Sequence, residues 1–172
     1  MRSGDEGTRV AGDELNLKKY NSYIQKFLKV NSCKIIFEPG RSIIGDTAVL
    51  ITNITYIKES DKKDFIILDA GMNDLMRPAL YKAEHKIIPI VKKKIKSKKI
   101  YEFVGPICET TDKFLTIKNY QKLNENDLIV IYDVGAYGMS LSSNYNLRPK
   151  PIELLIHNSK IKIINKRQKL SE

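Results

Sequence analysis

The spacing of apolar positions along the chain changes character once, near residue 41. Before it, Leu17, Tyr20, Ile24, Phe27 and Leu28 recur at three- and four-residue intervals. That period predicts an amphipathic helix from Asn16 to about Val30. A short β-branched run, KIIF at 34–37, follows and stops at Glu38-Pro39-Gly40-Arg41. Helix, turn, buried strand and glycine-containing loop make up the second half of a βαβ unit. Beyond Arg41 the helical period is gone. Apolar and β-branched runs recur at 43–57, 65–69, 87–91, 100–104, 114–117, 128–134, 152–156 and 161–164, separated by ESDKKD, GMND, SKK, NEND and SSNYNLRPKP. About eight short strands with turn-like connections predict an antiparallel barrel or sandwich. Asn158-Ser159 has the composition of a tight hairpin turn between the last two runs.

The predicted fold is therefore mainly β, with an α/β unit in front of it. Residues 1–15 carry no apolar period and read as a flexible leader, or as sequence left from a start site inside a longer gene. Residues 16–41 form the α/β unit, and 42–172 the β-domain. A chain of 172 residues is too short for a complete (β/α)₈ barrel, which needs roughly 250. No apolar stretch approaches the roughly 18 residues of a membrane span, so the chain is expected to be soluble and cytoplasmic.

Charge changes this picture little. The net charge is +10, but only six of the 30 basic residues are Arg. The densest run, VKKKIKSKK at 91–99, contains no aromatic residue on which a base could stack. It reads as a solvated loop between strands, with a polyanion contact as the alternative. Cys33 and Cys108 are too few for a disulfide framework or a Cys-based zinc site. His85 and His157 show no metal-ligand spacing and are read as non-ligands.

Four polar clusters interrupt the strand pattern, each where a run ends. In Glu38-Pro39-Gly40-Arg41 a carboxylate and a guanidinium flank a bend whose glycine lets backbone amides approach an anion. An ordinary turn with a surface ion pair would look the same. In the segment 69–81, Arg77 and Tyr81 share a face if it turns helically, offering a fork and a phenol to a carboxylate. Pro78 suits the first turn of such a helix. Tyr81 could equally be a core-edge aromatic. In the segment 104–112, Cys108 sits beside Glu109 and Asp112 just past a Gly-Pro bend. The thiol could move a proton and Glu109 could hold an ammonium, whereas a buried inert Cys is the common fate of a lone thiol. In the segment 133–139, Gly135 and Gly138 bracket Tyr137 and could bring its hydroxyl to a ligand, or could simply kink a strand.

Taken in order, EPGRSIIG, DAGMNDLMRPALY, VGPICETTD, DVGAYGMSLSSNYNLRP and PIELLI resemble the C-terminal signatures of the diaminopimelate decarboxylase family, over about Leu17 to Arg167. The resemblance implies a pyridoxal 5'-phosphate enzyme built from a (β/α)₈ barrel and a C-terminal β-domain, working as a head-to-tail homodimer. It would convert meso-2,6-diaminopimelate to L-lysine and CO₂, the last step of lysine biosynthesis. It implies that Glu38 faces the pyridine nitrogen, and that Gly40 and Arg41 help hold the cofactor phosphate while the Arg41 side chain reaches substrate. Arg77 and Tyr81 match the pair that binds the distal carboxylate, and Glu109 the acceptor of the distal amine. Cys108 matches the proton donor and, with Glu109, serves the partner subunit's site. Tyr137 matches a phenol contacting cofactor and substrate. The two threonines after Glu109 depart slightly from the family pattern.

By the same resemblance, the lysine that carries the cofactor and the glycine-rich phosphate loop lie upstream. The chain then begins after the seventh barrel strand, holding the last barrel helix and strand. Alone it is expected not to decarboxylate, and to self-associate through apolar surface. A split enzyme completed by a separate N-terminal barrel half, a decayed remnant, and a polyanion-binding β-domain stay open as alternatives.

Overall fold

The computed structural model describes residues 16–169; the leader expected at 1–15 lies outside them. Helix α1 spans Leu17–Val30. Asn16 opens it, its side-chain oxygen accepting from the Lys19 amide at 3.0 Å, and Asn31 closes it on the Phe27 carbonyl. This is ordinary capping: the side chain satisfies an amide that the first helical turn leaves orphaned. The apolar stripe of α1 lies against 33–37, with Tyr20 edge-on to Phe37 at 6.0 Å. Between them runs an open groove of about 710 Å³, lined by residues that include Ile24, Leu28 and Ile35.

The KIIF segment forms no strand. A strand needs a neighbour for its ladder hydrogen bonds, and among the described residues 34–37 has none, leaving Ile36 88% exposed. The run expected at 43–57 also begins later than its β-branched residues suggest. Helix α2 (Arg41–Ile44) passes directly into a 3-10 turn at Gly45–Thr47. Ser42 Oγ on the Pro39 carbonyl and Thr47 Oγ1 on the Ile44 carbonyl hold this stretch helical, at 2.7 and 2.8 Å.

Strand β1 (Leu50–Lys58) then leads into a six-stranded sheet with β2 (Lys63–Leu68), β3 (Ile87–Pro89), β4 (Ile100–Val104), β5 (Lys113–Ile117) and β6 (Leu128–Ile131). Their order is β3-β6-β1-β2-β4-β5. Mainly β is therefore the observed class. One pair departs from the antiparallel expectation: β2 and β4 run parallel. The cause is the long connection from 69 to 99, which carries helix α3 (Arg77–Tyr81), β3 at the far edge of the sheet, and the lysine run. Strand β6 also stops short of 134, giving way to a loop at 132–138. A separate hairpin, β7 (Glu153–His157) and β8 (Lys160–Asn165), turns at Asn158 and Ser159, both at positive φ. Two such residues make the mirror-image turn that matches strand twist.

Alternation along the strands points Ile54, Ile66, Leu68, Phe103, Ile129 and Ile131 inward, all fully buried. Tyr120 lies edge-on to Phe103 and Tyr101 in the same core. The sheet curls, so its two edges approach. Backbone at 95–97 pairs with 120–122, through Ser97 N–H to Tyr120 O and Lys122 N–H to Ile95 O, both 2.8 Å. Tyr120 closes the gap from inside, its buried hydroxyl donating to the β3 carbonyl of Ile87 at 2.7 Å. In the lysine run, Lys93 pairs with Asp127 at 2.6 Å and Lys99 with Asp64 at 3.0 Å, so part of its charge is spent within the fold.

Tyr120→Phe keeps the aromatic packing and removes the one phenol spanning the curl. We expect it to lower unfolding free energy by about 1 kcal/mol, the net worth of a buried hydrogen bond, measured by urea denaturation. An unchanged midpoint would mean the backbone pairing closes the curl unaided.

Candidate active site

The four clusters are laced in pairs by specific hydrogen bonds between strand ends and short turns. Gly40 sits at φ +32°, ψ −98°, a conformation that a side chain would strain, and it starts α2 so that Arg41 leads the helix. The loop after β6 is strapped onto this turn. Gly135 N–H donates to the Gly45 carbonyl at 3.0 Å and Val134 N–H to Ala48 at 3.1 Å. The approach is so close that a Cβ on Gly135 would lie 2.0 Å from the Ile44 carbonyl oxygen. Tyr137, at φ +61° and 52% exposed, is thereby carried on the same scaffold as Arg41. Glu38 stands exposed in the bend.

Behind both lies a residue that the sequence presents as inert. His85 is buried, its Nδ1 on the Tyr132 carbonyl at 2.8 Å. Burial pushes its pKa down, and the nearby Arg77 and Arg41 charges push the same way, against the Tyr132 carbonyl and Asp133. The imidazole is thus neutral, with Nδ1–H donating and Nε2 unpartnered. Its electrostatic coupling to both arginines places Arg41 and Arg77 in one neighbourhood.

Arg77 and Tyr81 open and close α3, with Pro78 in its first turn. The segment does turn helically, so the two residues, four apart, share a face. Tyr81 is 64% exposed; Arg77 is half-buried with its Nε unpartnered. Upstream, Asp69 accepts from Thr52 Oγ1 and the Asn53 amide, and Asp74 accepts from Gly71 N–H at 2.9 Å.

The third cluster is bound to the second by Asp112. Its buried carboxylate accepts from Met72 N–H and from Ile107 N–H, each at 2.7 Å. Burial pushes the Asp112 carboxyl up, and these two amides oppose that shift. Gly105 lies against the carboxylate, where a Cβ would sit 2.2 Å from Oδ2. The turn so fixed leaves Cys108 and Glu109 exposed at its crest. Glu109 accepts from the Tyr145 hydroxyl at 2.5 Å, which pushes the Tyr145 phenol up. The Tyr145 loop is anchored in turn, Ser143 N–H donating to Asn73 O at 2.9 Å and Arg148 Nη2 to Asp69 O.

Two groupings result: Arg41 and Arg77 near His85, with Tyr137 on the loop strapped to the Arg41 turn, and Cys108 with Glu109 beyond the Asp112 turn. Among the described residues no hydrogen bond or ion pair joins the second directly to the first. Sequence reasoning passed over His85, Tyr145 and Arg148. The last two were within the quoted motifs, but only a contact over 36 or 79 residues gives them a role. Among the described residues no group of His, Cys, Asp and Glu could hold a metal. The open backbone at Gly40 and the exposed phenol of Tyr137 suit an anionic aromatic ligand with a phosphate, and the unpartnered Arg77 Nε suits a carboxylate.

The family described as pyridoxal-dependent decarboxylase, C-terminal sheet domain, matches residues 20–135. A diaminopimelate decarboxylase from Helicobacter pylori is 41% identical over 170 residues, 98% of this chain and 42% of its own length. One from Aquifex aeolicus is 43% identical over 84% of this chain and 34% of its own length. The crystal structure of the H. pylori enzyme with L-lysine superposes with a TM-score of 0.82 at 41% identity, covering 94% of this chain and 40% of that one. A lysine/ornithine decarboxylase from Vibrio vulnificus, at 19% identity and TM-score 0.67, shares the fold. The chain thus spans about two-fifths of these relatives' length.

Asp112→Ala leaves two buried amides unpaired. We expect a loss of about 2–4 kcal/mol, with Gly105→Ala costing a similar amount by evicting the same carboxylate. The double variant should cost little more than either, since both break one knot; additive losses would show the two act separately. A second expectation concerns pH. With a native His85 pKa below its ordinary 6.5, the unfolded chain takes up a proton that the native state refuses. The His85 contribution is whole above that value and is lost as pH falls through it toward the lower native pKa. Between about pH 7 and 5, His85→Gln should therefore lose less stability than wild type; equal slopes would contradict a neutral buried His85.

Proposed function

The chain belongs to the pyridoxal-dependent decarboxylases, its residues 20–135 matching their C-terminal sheet domain, and on that premise we propose that it is the substrate-reading C-terminal part of a diaminopimelate decarboxylase. The reaction would release CO₂ from meso-diaminopimelate and leave L-lysine. The observation that carries the reading is the 41% identity over 98% of the chain to a relative of that name, with the quoted motifs lying in the laced loops. Residues 16–41 would be the end of a (β/α)₈ barrel and 42–172 the β-domain, with the remaining barrel supplied by an N-terminal portion. The assembly would be a cytoplasmic homodimer.

Glu38, Gly40, Arg41 and Tyr137 would hold pyridoxal phosphate. When bound, that cofactor supplies an electron sink for the pair left when the carbon–carboxylate bond breaks. Glu38 would accept a proton-bearing ring nitrogen, and the Gly40–Arg41 backbone would meet the phosphate. Arg41, Arg77 and Tyr81 would take the distal carboxylate, where a guanidinium fork matches two oxygens. Glu109 would take the distal ammonium. Cys108 would pass its Sγ proton to the carbon that has lost CO₂, so the thiol ends as thiolate and is reprotonated before the next turnover. Cys108 and Glu109 form a grouping apart from Arg41 and Tyr137, which supports their serving a second subunit's site.

The test is CO₂ release from meso-diaminopimelate by this chain mixed with the N-terminal portion of the H. pylori relative and pyridoxal phosphate. We expect turnover in the mixture and none from the 172-residue chain alone. Cys108→Ala should lower kcat by about 10²–10⁴, and Arg77→Gln should chiefly raise KM. A mixture that forms a complex yet stays silent, or a chain active by itself, would overturn the proposal.

A further inference from the structure

Glu109 is held by a partner that neither motif spacing nor charge singles out. Tyr145 lies 36 residues away and donates its hydroxyl proton to Glu109 Oε1 at 2.5 Å. Neither residue is free to drift. The Glu109 N–H is fixed on Ile107 O at 2.8 Å, and its carbonyl accepts from Asp112 N–H at 3.1 Å. The Tyr145 loop is pinned by Ser143 on Asn73 and by Asn144 Nδ2 on Arg148 O at 2.9 Å. Yet both side chains are open to a ligand, Tyr145 being 45% exposed. Two anchored loops thus present a phenol and a carboxylate at one accessible point.

We propose that Tyr145 is a specificity-determining residue: it fixes one oxygen of Glu109 and offers its own phenol oxygen, so that the pair together binds a primary ammonium. The chemistry is that of donor counting. The phenol proton is given to Oε1, leaving Oε2 and the phenol lone pairs as acceptors, whereas an ammonium carries three N–H donors. One donor to Oε2 and another to the phenol oxygen would seat the group by two directed bonds, one of them to a charge. A hydroxyl offers one donor and a methyl none. The Glu109 charge keeps the phenol protonated by pushing its ionisation up, so Tyr145 stays a donor through the physiological range.

The inference rests on the reading of Glu109 as the distal-ammonium acceptor, and the tests separate the two. In the 172-residue chain, the hydroxyl-bearing carbon of Tyr145, followed by ¹³C NMR, should titrate above the ordinary 10 and return toward it in Glu109→Gln. An ordinary titration, or one that Glu109→Gln leaves unmoved, overturns the inference. In the assembly with the N-terminal portion, L-lysine and 6-aminohexanoate are compared by calorimetry, since they differ only in the ammonium beside the carboxylate, the one that stands for the distal ammonium of the substrate. Tyr145→Phe should weaken L-lysine about tenfold or more and leave 6-aminohexanoate unchanged. Glu109→Gln should weaken L-lysine too, and the double variant should be little worse than the worse single. Equal weakening of both ligands by Tyr145→Phe would mark a loop disturbance and overturn the inference. If Glu109→Gln lowers the lysine preference and Tyr145→Phe does not, the inference fails while the reading of Glu109 stands. If neither moves it, both fail.

Discussion

The arrangement depends above all on the buried carboxylate of Asp112. Its side chain accepts two backbone amides from different loops, Met72 and Ile107, and its own carbonyl accepts from Gly105 N–H at 3.0 Å. Without it, the loop bearing Cys108 and Glu109 and the loop leading to Arg77 would share no polar tie of this strength. The choice of an acid follows from the donors. Two amides converge on one point inside the fold, and only a group with two acceptor oxygens and no donor satisfies both. The requirement extends to Gly105, which approaches that carboxylate too closely for a side chain to intervene.

A similar economy governs the other end of the site. Gly135 lies on the Ile44 carbonyl, so the Tyr137 loop is strapped to the Arg41 turn, and the buried His85 feels the charges of Arg41, Arg77 and Asp133. The curled sheet is what makes such loop-to-loop lacing available. Tyr120 on Ile87 O, with the 95–97 and 120–122 pairing, draws the sheet edges together around Phe103. The loops leaving the strands then emerge within hydrogen-bonding reach of one another.

The class of fold and the turn residues were legible in the chain because they are local. Alternation gave the strands, Asn158-Ser159 the hairpin, and Arg77-Pro78 the start of a helix. What misled was equally local: KIIF has the composition of a strand but no neighbour to pair with, and SIIGDT has β-branched residues held helical by Ser42 and Thr47. The motifs named most of the side chains in the two groupings. They could not show which residues do the holding. Asp112, His85 and Tyr145 act through partners 36 to 47 residues away, and nothing in a period of two or 3.6 records such a contact.

A ligand with a carboxylate and an ammonium at its distal end sets a particular problem, since a receptor needs both signs of charge and must keep them from neutralising each other. Under the proposed reading Arg77 and Glu109 would meet this by sitting on separate loops, and neither enters an ion pair among the described residues. Glu109 is held by the neutral Tyr145 phenol, which orients it without cancelling its charge. The carboxylate that binds the two loops together, Asp112, is buried and accepts two backbone amides. A lysine at position 145 would hold Glu109 at least as firmly. It would also occupy the charge that the ligand needs.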